Sequence, residues 1–121
     1  MVSTESTAEA GRIAGERLLT MAERPQAVFA MDDTLAAGVL KGARKLGLAV
    51  PGEVAIAGFN GDLLSSLLEP ALTTVRIPIF EMGREARMPI EIINGAPPRS
   101  VTTPAELIVR QSSLWRESAN A

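Results

Sequence analysis

The sequence has 121 residues, 46% apolar and 21% charged, with a formal net charge of −2, no cysteine, no histidine, three Phe and one Trp. That is the scale of one ordinary globular domain, and it excludes a disulfide framework, a thiol nucleophile, a Cys-ligated metal and a histidine general base. The acidic balance and few aromatics leave no footprint for gripping a nucleic-acid backbone or stacking its bases, and no apolar run approaches the roughly 20 residues that span a bilayer.

The N-terminal stretch "MVSTESTAEAG" lacks the basic start and apolar centre of a signal peptide, which points to the cytoplasm. Ser6 and Glu9 stand at capping-box spacing, so a helix is expected from Ala8 to about Ala22, with Ala10, Ile13, Ala14, Leu18 and Met21 near one stripe and Pro25 beyond its end. Residues 27–31, Ala-Val-Phe-Ala-Met, run apolar without alternation, as in a strand buried on both faces of a parallel sheet. A second helix follows, capped by Asp33 or Thr34. Its buried stripe is Leu35, Val39, Ala43 and Leu46, its outward cations are Lys41, Arg44 and Lys45, and Gly47 is placed as the left-handed stop.

Val54 to Phe59 is a second buried run, ending in "GFNGD"; strand, helix and strand at this spacing form a right-handed βαβ unit. Leu63 to Leu68 reads as a short helix closed by Pro70, and Leu72 to Val75 as a third strand. From Ile79 a helical pattern runs toward Gly95 with Pro89 inside it, which costs about 3 kcal/mol unless the helix kinks or ends. Residues 101–110 read as a final extended segment, with Pro104 marking an edge or bulge, and the last ten residues, Trp115 among them, as a loose tail. The pattern is α/β, a mostly parallel sheet with flanking helices.

In such a sheet, ligands bind beyond the carboxyl ends of the strands. Asp32 and Asp33 lie at one such end, and Asn60, Gly61 and Asp62 at the next. Carboxylate and amide groups meeting there suit the hydroxyls of a sugar or the polar edge of a small metabolite. Asp33 and Asp62 equally suit N-caps, worth about 1 kcal/mol each, which leaves Asp32 and Asn60 as the freer groups. A Mg²⁺ site built from Asp32, Asp33 and Asp62 is the third reading. No Gly-rich phosphate loop, general base or activated nucleophile accompanies these acids, so neither catalysis, a resident metal nor a cofactor is expected.

Three stretches together, "RPQAVFAMDDTLAAGVLKGARKLGLAVPGEVAIAGFNG", "PALTTVRIPIFEMGREA" and "ELIVRQSS", resemble the LacI/GalR family of bacterial transcription regulators from about residue 5 to 113. The resemblance implies the C-terminal lobe of a type I periplasmic-binding-protein-like fold, truncated. Residues of about 5–75 and 100–113 would form that lobe, and about 76–99 a crossover segment that normally belongs to the N-terminal lobe. The helix-turn-helix that reads operator DNA in complete regulators has no counterpart here, so the chain looks like the last part of such a protein, with operator DNA reached only through an absent N-terminal domain. The implied function is effector sensing and dimerisation, with a small molecule such as a sugar as effector, a homodimer as assembly and no membrane partner. The alternative is a fragment of a periplasmic-type solute-binding protein. By this resemblance Asp32 matches an Asn that contacts sugar hydroxyls, Asn60 a ligand-binding Asp and Ser6 an aromatic that often stacks on the effector, while Asp33 and Asp62 remain the helix caps.

Overall fold

The computed structural model describes residues 5–115. Along the chain run α1 (Ala8–Leu19), β1 (Ala27–Phe29), α2 (Asp33–Lys45), β2 (Ala55–Ala57), α3 (Leu63–Leu67), β3 (Thr74–Arg76), α4 (Ile79–Glu85), α5 (Met88–Ile93) and β4 (Glu106–Ile108). β1 pairs with β2 in parallel, Val28 opposite Ile56. On the far edge of β2, the amides of Gly58 and Asn60 donate to the carbonyls of Thr73 and Val75, each at 2.9 Å, and this continues the parallel order onto β3. β4 closes the series antiparallel to β3, with Arg76 opposite Glu106.

The core lies between the sheet and the first two helices: Leu19 from α1, Ala36, Val39, Leu40 and Ala43 from α2, and Val54, Ile56 and Leu72 from the strand segments. The helices can reach it because α1 and α2 cross with backbone nearly on backbone. Gly11 and Gly15 of α1 and Gly38 and Gly42 of α2 are all buried, and a Cβ added at Gly38 would lie 2.0 Å from the Ala8 carbonyl oxygen. Only glycine permits that approach. α2 ends as its sequence predicts, with Gly47 at φ 74 just beyond the cap.

Two expectations are corrected, for β1 and for the last ten residues. β1 is not buried on both faces: Val28 packs on the core, whereas Phe29 is 64% exposed, the alternation of a strand covered on one side. The helical pattern from Ile79 does break as Pro89 requires: it is two helices, with Pro89 in the first turn of α5, where its missing N–H is not needed. The last ten residues are not uniformly a tail. Ser112 is fully buried, and its backbone and hydroxyl bond to Ile56, Ala71 and Thr73. Trp115 is exposed, and residues 116–121 lie outside the described residues.

Helices α4 and α5 bury no residue. Phe80 is 90% exposed and Ile93 82%, with Ile79 and Ile90 also exposed. Arg99 bridges the pair, 3.2 Å from Glu85 and 3.5 Å from Glu91. The two helices form an arm entered from β3 and left toward β4.

Candidate functional site

The chain enters α2 through Asp32, whose extended backbone makes it the N-cap: one carboxylate oxygen accepts from the Leu35 amide at 2.7 Å. Its other oxygen accepts from the hydroxyl of Ser6. Ser6 is free to do this because Thr7 caps α1, accepting from the Ala10 amide at 3.1 Å. The capping box expected at Ser6 and Glu9 therefore does not form. Glu9 instead pairs with Arg12, one turn further into the helix.

Asp33 is not a cap either. As the first helical residue of α2 it turns inward and is fully buried, where one oxygen accepts from the Thr74 hydroxyl at 2.6 Å and the other from the Asp62 amide at 2.8 Å. A buried carboxylate needs such donors. Asp62 holds the N-cap position of α3, but its side chain makes no capping bond; α3 is a single short turn and its Ser65 and Ser66 hydroxyls bond back to Asp62 and Leu63. The cap of α2 thus moves from Asp33 to Asp32, and α3 starts at Asp62 without a side-chain cap.

Asn60 is half-buried at φ 124, and Gly61 follows at φ 73. The Asn60 amide donates to Val75 and the Gly61 amide to the Thr74 hydroxyl at 3.2 Å. Both glycines of "GFNGD" are required by close approach. A Cβ on Gly58 would stand 2.4 Å from an Asp33 oxygen, and one on Gly61 would stand 2.7 Å from the Arg76 Cα. Of the residues singled out in the sequence, Ser6 and Asp32 meet directly, and the loop carrying Asn60 and Asp62 is tied to the Asp32–Asp33 corner through Asp33. Sequence reasoning missed Thr74; its signal is the doublet Thr73–Thr74 at the start of a strand whose other residues are apolar or charged.

The edge so assembled offers a hydroxyl, a carboxylate and an amide, groups that recognise a polyhydroxylated molecule by hydrogen bonding. Among the described residues no group of three or more His, Cys, Asp or Glu gathers to hold a metal. On the α1 surface, hydrogen bonds from the Arg12 guanidinium hold the Glu9 and Glu16 carboxyls below their ordinary value. No helix among the described residues is long and apolar enough to cross a membrane.

Residues 1–113 match the family described as periplasmic binding protein-like domain. The NTD biosynthesis operon regulator NtdR of Bacillus subtilis is 36% identical over 101 residues, covering 80% of this chain and 31% of that protein. The lactose operon repressor of Rhizobium radiobacter is 34% identical over 113 residues, covering 92% of this chain and 95% of that sequence. Among solved structures, a LacI family transcriptional regulator from an Arthrobacter species, in complex with lactose, superposes with a TM-score of 0.79 at 32% identity, over 92% of this chain and 43% of that one. The chain thus spans about a third of the NtdR relative and less than half of the Arthrobacter structure.

Proposed function

The chain belongs to the periplasmic binding protein-like domain family, among the LacI-type transcriptional regulators, and we propose that it supplies one wall of an effector cleft in such a regulator. Ser6, Asp32 and Asn60 are the residues assigned to ligand contact, and the effector is a sugar or a related polyhydroxylated metabolite. The observation that carries this reading is the polar edge itself: Asp32, joined to Ser6, and Asn60, each beyond the carboxyl end of a parallel strand. The Arthrobacter relative, crystallised with lactose, supports the ligand class.

The remaining roles follow from the same reading. The α4–α5 arm, whose apolar side chains are exposed, packs against a second lobe, and the lobe formed by the rest of the chain takes part in a homodimer. DNA contact is assigned to a helix-turn-helix outside these 121 residues, and the site of action to the cytoplasm. The chain binds and reports; it catalyses nothing. A thermal melt against sugars, sugar phosphates and purines tests the reading, because a ligand that binds only the folded state raises the midpoint by mass action. A shift that Asp32→Ala and Asn60→Ala both abolish is the expected result. A shift that survives both substitutions refutes the assignment of the edge.

A further inference from the structure

We infer that Asp33 and Thr74 are positioning residues, which lock the 60–62 loop in the conformation that presents the Asn60 side chain and touch no ligand themselves. The inference deepens the assignment of Asn60 above and rests on it for its functional meaning. Its physical basis is separate. A non-glycine residue at φ 124 sits in a sparsely populated region, and such a conformation persists only where the surroundings over-determine it. Here three consecutive amides do so. The Asn60 amide is held by the Val75 carbonyl, the Gly61 amide by the Thr74 hydroxyl and the Asp62 amide by an Asp33 oxygen.

The Thr74 hydroxyl has one proton, and the proton goes to Asp33. Its oxygen is then left as the acceptor that Gly61 requires. A single buried carboxylate therefore holds two of the three amides, one directly and one through a hydroxyl whose direction it fixes. Gly58 keeps the space for that carboxylate. The same anchoring group begins α2, one residue beyond Asp32, so the Asp32 cap and the Asn60 loop are set relative to each other by one side chain.

Amide hydrogen exchange followed by NMR on the whole chain tests this. In the unsubstituted protein the Gly61 and Asp62 amides should be protected as a core amide such as Ile56 is, although they lie in a loop; exchange at free-chain rates overturns the inference without any variant. Thr74→Val keeps the shape and removes the hydroxyl. It should speed Gly61 exchange about tenfold more than Ile56 exchange and move the Asn60 side-chain amide resonances, whereas Thr74→Ser should restore both. Equal acceleration at Gly61 and Ile56, or failure of Thr74→Ser to restore the Asn60 signals, refutes positioning in favour of a general packing role. The exchange measurement needs no ligand. A clamped loop in a protein that binds none of the sugars would leave this inference standing and overturn the ligand assignment instead.

Discussion

Gly38→Ala puts the packing argument at greatest risk, because local and tertiary physics give it opposite signs. In a free helix, alanine is better than glycine by about 1 kcal/mol. At the α1–α2 crossing the new methyl would stand 2.0 Å from the Ala8 oxygen, 2.6 Å from the Arg12 nitrogen and 2.9 Å from the Ala8 carbonyl carbon. All three are backbone atoms, so no side-chain rotation relieves the contact and the helices must separate. Overpacking of this kind costs about 3 kcal/mol at the upper end of its usual range, leaving a net loss of about 2 kcal/mol after the propensity gain. With an unfolding entropy of about 2.1 cal/mol/K per residue, a chain of this length should melt about 8 °C lower. The assay is thermal unfolding by far-UV circular dichroism, alongside Gly11→Ala, whose methyl meets the Leu35 oxygen at 2.4 Å. The double variant should cost less than the two separate losses, because one separation of the helices relieves both contacts. A Gly38→Ala protein that melts at or above the parent temperature refutes the close crossing.

Asp32→Ala should lose the α2 cap and about 1 kcal/mol, and Asp62→Ala only about 0.3 kcal/mol, since its side chain caps nothing; urea titration showing the opposite order would return capping to Asp62. Asn60→Gly should relieve backbone strain and raise stability by about 1 kcal/mol while removing the amide proposed to face the ligand, so a higher melting midpoint should accompany a lost sugar response. Arg12 holds Glu9 and Glu16 below the ordinary carboxylate value of 4.5. The sign follows: their contribution is present in full above that pH and is lost as pH falls below it. The melting midpoint should therefore drop more between about pH 5 and pH 3 in the parent than in Glu16→Gln. Equal slopes would show that the Glu16 carboxylate contributes nothing to the pH dependence.

How far the sequence carries depends on whether a feature is local. The helices, the βαβ unit, the Gly47 stop and the break at Pro89 are written in short-range patterns of periodicity and punctuation, and all are present. Capping was legible in kind and missed in register: two adjacent acids before a helix look alike in sequence, and only the Thr74 hydroxyl and the Asp62 amide decide that Asp33 turns inward while Asp32 caps. The role of Ser112 depends on partners 39 and 56 positions away, beyond any local pattern. The glycines spaced four apart in both α1 and α2 did carry a readable signal of close helix contact. Their meaning required knowing that the two helices are neighbours.

The base of the α4–α5 arm has its own consequence. Arg76 and Glu106 are partners across β3 and β4 and form an ion pair at 3.4 Å, so the chain departs and returns at the same place. Topologically, everything between them is a side excursion from a hairpin. A two-residue Asn-Gly turn could join Arg76 to Glu106 directly and would shorten the loop to be closed by enough to recover at most about 2 kcal/mol of chain entropy. The rest of the fold could thus exchange, enlarge or lose its arm without any change in its own strand order.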